Sequence, residues 1–160
     1  MYVFQRNYNE YEDLRSIDRS TKQIVIIYPP EDPPMVRDKF YEVIKNCIES
    51  YNSRTGEESY SHNKIVITTE SSPKECYLAI YRANAVIAEC SDKNPNVFYM
   101  IGLAHAVGRP VCSCYDMSKI GNSLNIPFDV HGRQSMTYSV STMEDQGKFM
   151  DNLKKWIESL

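Results

Sequence analysis

The sequence lacks any apolar run long enough to cross a lipid bilayer, which needs about 20 such residues. It also lacks a basic stripe, because its 18 lysines and arginines are scattered among 21 acidic residues and the net charge is −3. These absences argue against a membrane span and against nucleic acid as a partner. A length of 160 residues suits one domain with its own core.

Cysteine is present without the spacing of a metal or redox site. The five cysteines include no CxxC pair, and the three histidines do not cluster with them. Cys112 and Cys114 lie on one side of a predicted strand, as small buried side chains do. The odd cysteine count and the lack of a signal-peptide pattern predict a cytoplasmic protein. We expect neither a metal nor a cofactor.

Apolar runs alternate with helical patterns along most of the chain. The order predicts an α/β fold, a flavodoxin-like, doubly wound sandwich with a mostly parallel sheet of about five strands. Residues 22–160 form this domain, and the polar residues 1–21 are an N-terminal extension. The predicted strands are residues 24–28, 65–68, 85–88, 111–115 and, at one edge, 136–140. The predicted helices span residues 35–51, 73–82 and 95–107 and begin again after Thr142.

The segment from residue 85 to residue 115 is a predicted strand, loop, helix and strand. Asn94 suits the N-cap of the helix, and Pro95 suits its first position. In parallel sheets, ligands bind beyond the carboxyl ends of the strands, where helix N-termini point. The loop of residues 89–94 is therefore the predicted ligand site.

Residues 83–111, ANAVIAECSDKNPNVFYMIGLAHAVGRPV, resemble the signature of the nucleoside 2-deoxyribosyltransferase-like superfamily. Its bacterial TIR-like nucleotide-binding branch, which reads approximately ADxVIADLTxxNPNVFYELGLAHALGKPV, is the most similar. Residues 125–138, NIPFDVHGRQSMTY, resemble a later PFDLxxxRxIxY segment of that branch, and residues 24–32 resemble its first strand and loop. The resemblance implies a nucleoside or nucleotide ligand and, for active members, cleavage of an N-glycosidic bond.

One position departs from that family in a way that bears on activity. The glutamate of its YELG element is the catalytic nucleophile or its electrostatic equivalent, and Met100 stands in its place here. A thioether can neither form a glycosyl ester nor stabilise an oxocarbenium ion. Glu89 matches the acidic residue of the ADLT element, so one carboxylate is kept. Met100 packing on a sugar or base and Met100 lying in the core are both compatible with the sequence.

Further ligand contacts follow from the resemblance and from the predicted topology. Glu89, Cys90, Ser91 and Asn94 belong to the loop, and Asn96 opens the helix, where it binds a ribose hydroxyl or phosphate or else only assists the cap. After the first strand, Tyr28 and Pro29 form a wall of the crevice suited to base stacking, or they are ordinary strand-end packing. His105 is interpreted as a structural residue of the helix.

Three functions are compatible with these patterns. The first is a nucleotide- or nucleoside-binding module derived from an N-glycosidase and inactivated at Met100. The second is an active N-glycosidase or deoxyribosyltransferase that uses another carboxylate, such as Glu89. The third is a TIR-like protein-interaction domain that self-associates, for which the tyrosine-rich residues 1–21 are suited; the TIR-like resemblance also implies a phage-defence context.

Overall fold

The computed structural model describes residues 22–30, 34–55, 60–66, 72–120, 135–139 and 141–160. The predicted extension of residues 1–21 and most of the later family-like segment lie outside these ranges. The central signature, residues 83–111, lies wholly inside them.

The described residues form one five-stranded sheet in which every neighbouring pair of strands is parallel. The strand order β2-β1-β3-β4-β5 confirms the predicted flavodoxin-like, doubly wound α/β fold. The strands are β1 (Gln23–Tyr28), β2 (Ser61–Val66), β3 (Ala85–Glu89), β4 (Val111–Asp116) and β5 (Ser135–Tyr138).

Helices cover both faces of the sheet and bury two separate apolar clusters. The helices are α1 (Pro34–Thr55), α2 (Pro73–Arg82), α3 (Pro95–Ala106), α4 (Met117–Ile120) and α5 (Met143–Ile157). One cluster lies under α1 and α5, and the other lies under α2 and α3. The central strands β1 and β3 have buried side chains on both faces, which explains the apolar runs of residues 24–28 and 85–88 within them.

The second strand was predicted too late in the chain. The helix was expected to end at residue 51 and the strand to begin at residue 65, but α1 continues to Thr55 and β2 begins at Ser61. This strand lies at the edge of the sheet, so its polar residues Ser61 and Lys64 remain exposed while its backbone pairs with β1. The start of β2 is therefore defined by its hydrogen bonds to β1, and the periodicity of apolar residues in the sequence does not reveal these bonds.

The topology makes the carboxyl ends of β1 and β3 the place where a ligand crevice is expected. These strands are neighbours, but β1 leads into α1 on one face and β3 leads into α3 on the other. Because the two connections leave in opposite directions, the strand order reverses at this point, where doubly wound proteins bind their ligands.

Candidate functional site

Four polar side chains stand in a row where the strands end, on the face covered by α1 and α5. Asp116 of β4 pairs with Tyr138 of β5, and Glu89 of β3 pairs with Cys114 of β4. Tyr28 of β1 lies one step beyond the last residues that pair β1 with β3. Paired residues of parallel strands share a face, so Tyr28, Glu89, Asp116 and Tyr138 face the same side of the sheet.

The carboxyl group of Glu89 is buried and only half satisfied. The residue is 1 % exposed. Its Oε1 accepts hydrogen bonds from the Ser91 backbone N–H at 3.1 Å, from the Ser91 hydroxyl and from the Tyr138 hydroxyl at 3.2 Å. Its Oε2 is buried and has no hydrogen-bond partner among the described residues. A buried oxygen without a partner is costly, and a ligand group would satisfy it.

Burial raises the pKa of Glu89 from 4.5 to about 7. The dominant cause is the loss of solvent around the charged form, to which the negative charge of Asp92 adds. The bonds from Ser91 and Tyr138 oppose this change because they stabilise the ionised carboxylate. Near neutral pH both forms of Glu89 are populated, as general acid–base chemistry requires.

Ser91 connects the ends of two strands. Its hydroxyl contacts Glu89 Oε1 and also accepts the backbone N–H of Asp116 at 2.6 Å. The turn that holds Ser91 is closed by the Lys93 N–H, which donates to the Cys90 carbonyl at 3.1 Å. Lys93 has a φ of 52°, a left-handed conformation that directs the chain into α3. The predicted site residues Glu89 and Ser91 are thus in direct contact.

Cys90 points to the other face of the sheet. It is 1 % exposed in the apolar cluster under α2 and α3, and its thiol donates to the Ala88 carbonyl at 3.4 Å. Burial raises the pKa of this thiol far above its usual range. All five cysteines are free and buried. The predicted contact between Cys90 and a ligand stays a prediction.

Met100 lies in the core on the opposite face from Glu89. It is 7 % exposed and shares the cluster under α2 and α3 with Cys90, Val97 and Ile101. The structure therefore does not bring Met100 and Glu89 into one cluster. Of the two interpretations left open by the sequence, its buried position favours the core residue.

The start of α3 follows the predicted capping pattern. Asn94 is the N-cap, and its side chain accepts the backbone N–H of Asn96 at 2.9 Å. Pro95 occupies the first helical position. Asn96 is exposed, so its side chain is accessible in the first turn of α3. Its predicted contact with a ribose or phosphate stays a prediction.

We expect Asn94→Ala to lower the free energy of unfolding by about 1 kcal/mol, because it removes the acceptor for the Asn96 N–H. Asn96→Ala is the matched control, since its backbone N–H still reaches Asn94 and its side chain is exposed. Urea unfolding of the two variants tests the difference. Equal stabilities of Asn94→Ala and the unchanged protein would show that the cap contributes nothing.

Two cationic side chains lie near the ring of Tyr28. It is fully buried, and its hydroxyl has no hydrogen-bond partner among the described residues. The guanidinium of Arg37 lies 5.8 Å from the ring centroid, and the ammonium of Lys64 lies 5.4 Å from it. Pro29, the next residue, is also buried. The predicted stacking of a base on Tyr28 stays a prediction.

Sequence reasoning missed two members of the row, Asp116 and Tyr138. Both end strands, and Tyr138 also ends the segment that resembles PFDLxxxRxIxY, but the register between β4 and β5 that brings them to the site could not be derived beforehand. Asp116 is 5 % exposed, and its Oδ1 accepts the backbone N–H and the hydroxyl of Ser118, both at 2.8 Å. It closes the end of β4 against the short helix α4.

Neither a cluster of metal-binding side chains nor a membrane-spanning helix is found in the part of the chain that the structure describes. No group of three or more histidine, cysteine, aspartate or glutamate side chains there could hold a metal ion. None of the helices there combines the length and apolar character needed to span a membrane.

The fold is shared with a solved N-glycosidase. The CMP N-glycosidase BcmB of Clostridium botulinum superposes with a TM-score of 0.51 at 13 % identity, over 84 % of this chain and 99 % of that one. At this identity the likeness establishes the fold alone. No protein-family model matches the chain, and no curated protein matches it.

Proposed function

We propose that this chain binds a nucleoside or nucleotide at the carboxyl ends of β1 and β3 and does not cleave it through a nucleophile at position 100. The observation that carries the proposal is the buried Glu89 carboxyl, whose Oε2 has no partner among the described residues at the point where the strand order reverses. A ligand hydroxyl or base atom would complete its hydrogen bonding.

The ligand class rests on two independent likenesses. Residues 83–111 resemble a superfamily that handles nucleosides and nucleotides, and the fold is shared with a CMP N-glycosidase. The lack of a nucleophile rests on Met100, an uncharged side chain that is packed in the apolar cluster. A protein that binds the ligand but forms no glycosyl ester with it is consistent with the two likenesses and with the packing of Met100.

Hydrolysis by Glu89 is the second candidate, and it is favoured by a pKa of about 7. Glu89 would donate its proton to the departing base while the electron pair of the N-glycosidic bond leaves with that base. Water would then add to the sugar carbon and return one proton to Glu89. This route needs no covalent intermediate, so it does not require a carboxylate at position 100.

A panel of nucleosides, nucleotides and NAD tests both candidates on the purified protein. Calorimetric titration measures binding, and chromatography detects released base. We expect binding of at least one member without base release, and at least about tenfold weaker binding by Glu89→Ala, because a hydrogen bond from a buried carboxyl is lost.

The matched control is Glu49→Ala, which removes an exposed carboxylate from α1. It should bind like the unchanged protein. Base release that disappears in Glu89→Ala but persists in Glu49→Ala would replace the first candidate by the second. If no panel member bound to the folded protein, the nucleotide-binding proposal would be wrong.

A further inference from the structure

The hydrogen bonds around Glu89 determine which of its two oxygens can carry a proton. The backbone N–H of Asp116 can only donate, so the Ser91 hydroxyl oxygen accepts that bond at 2.6 Å. The hydroxyl hydrogen then needs an acceptor of its own, and the neighbouring Glu89 Oε1 supplies it. If Glu89 Oε1 instead donated a hydrogen to Ser91, the buried hydroxyl hydrogen of Ser91 would lose Oε1 as its acceptor.

Two further donors point to the same oxygen. The backbone N–H of Ser91 lies 3.1 Å from Oε1, and the hydroxyl of Tyr138 lies 3.2 Å from it. The backbone N–H has no acceptor capacity, so a hydrogen on Oε1 would face it directly. Oε1 is therefore suited to accept in both protonation states, and Oε2 is the free position.

We propose that Ser91 is a positioning residue that fixes the acid hydrogen of Glu89 on Oε2, so that Glu89 meets its ligand as a directed hydrogen-bond donor. The ligand part rests on the function proposed above, because it requires that Oε2 faces the bound nucleoside or nucleotide. The ligand atom at Oε2 is then one with a lone pair, such as a ring nitrogen or carbonyl oxygen of a base.

The other titratable and charged groups around Glu89 do not reverse this assignment. The charge of Asp92 favours protonation of Glu89 without contacting either oxygen within the described hydrogen bonds. On the neighbouring strands, Tyr28, Cys114, Asp116 and Tyr138 share its face, and Arg37 lies over the Tyr28 ring. Cys90 and Tyr115 lie in the cluster on the other face. None of these groups is a described hydrogen-bond donor to Oε2.

Difference infrared spectroscopy between about pH 5.5 and 8.5 locates the proton without any ligand, because exposed carboxyls remain ionised in that range. If the hydrogen is on Oε2, the carbonyl oxygen is Oε1, and Ser91→Ala removes a hydrogen bond from that carbonyl. The C=O stretching band of protonated Glu89 should then move to higher frequency. The titration midpoint should also rise by roughly one pH unit, since the ionised form loses a donor.

Ser91→Thr keeps the hydroxyl and should restore both the band and the midpoint. Tyr138→Phe should produce smaller changes in the same directions, and Tyr115→Phe is its matched control, because that buried hydroxyl lies in the other cluster. These variants keep the test valid if Ser91→Ala does not fold. An unchanged C=O band in both Ser91→Ala and Tyr138→Phe would overturn the assignment of the proton to Oε2.

Ligand binding separates a failure of this inference from a failure of the proposed function. Affinity for a panel nucleoside or nucleotide should fall as pH rises above 7, up to about tenfold per pH unit, because deprotonation removes the donor. Affinity that rises or stays level across this range would overturn the donor role. If the infrared bands shift as expected but no panel member binds, the proposed function is wrong and the assignment of the proton to Oε2 still holds.

Discussion

Glu89→Gln should raise the free energy of unfolding by about 3 kcal/mol at pH 8 and change it little at pH 4. Burial raises the pKa of Glu89 from 4.5 to about 7. The folded protein thus holds a proton that the unfolded chain releases between these values, so stability falls as pH rises through this window and is level above it. A shift of this size corresponds to about 3 kcal/mol, and glutamine has no proton to release.

Urea unfolding at several pH values checks this expectation. The control is Glu49→Gln, whose carboxyl is exposed on α1 and should leave the pH dependence unchanged. A loss of stability in Glu89→Gln at pH 8 would show that the ionised carboxylate is stabilised in the folded protein. That result would contradict both the raised pKa and the unsatisfied state of Oε2.

A residue that lowers the stability of its own fold is characteristic of a functional site. Glu89 is buried at the end of a central strand, where an apolar or amide side chain would cost less. Its position at the reversal of strand order is also where ligands bind in this fold. The expected effect on stability and the topology therefore point to the same carboxyl group.

The elements that the sequence predicted best are those with strong local signals. The apolar runs of β1, β3 and β4 could be recognised without knowledge of their neighbours, because strands buried on both faces are mostly apolar. The helices α2, α3 and α5 begin at the positions predicted for them, and Ser72, Asn94 and Thr142 are their N-caps. Signals of this kind lie within a few residues of the feature that they predict.

The geometry of the site was harder to predict from the sequence, because it depends on pairing between residues that are distant along the chain. The contact of Tyr138 with Glu89 spans 49 positions of sequence and requires β5 to pair with β4 in one register. The resemblance supplied Glu89 and Ser91 as candidates but supplied neither the hydrogen bonds between them nor the unpartnered oxygen. Only the three-dimensional arrangement separates Oε1 from Oε2.

The face occupied by Met100 could have been predicted from helical spacing. Val97, Met100, Ile101 and Ala104 recur at intervals of three and four positions, and all four are buried. This pattern defines the apolar stripe of α3. The family resemblance drew attention to the chemistry of position 100, whereas its place in this stripe describes its packing.

Met100→Glu should lower the free energy of unfolding by about 3 to 5 kcal/mol at pH 8, because it places an ionisable group in an apolar cluster. The loss should be smaller at pH 5, since burial raises the pKa of such a carboxyl and the neutral form is cheaper to bury. Met100→Leu, which conserves volume and polarity, should cost less than about 1.5 kcal/mol. Urea unfolding of both variants at the two pH values provides the measurement.

The same variant decides whether position 100 can take part in catalysis. We expect Met100→Glu to release no base from any member of the nucleoside and nucleotide panel, because its side chain lies on the face opposite Glu89. The assay is carried out at a pH and temperature at which unfolding curves show that the variant is folded. Base release by Met100→Glu, absent from Met100→Gln, would instead show that residue 100 reaches the ligand. Methionine at position 100 would then account for the expected lack of base release by the unchanged protein.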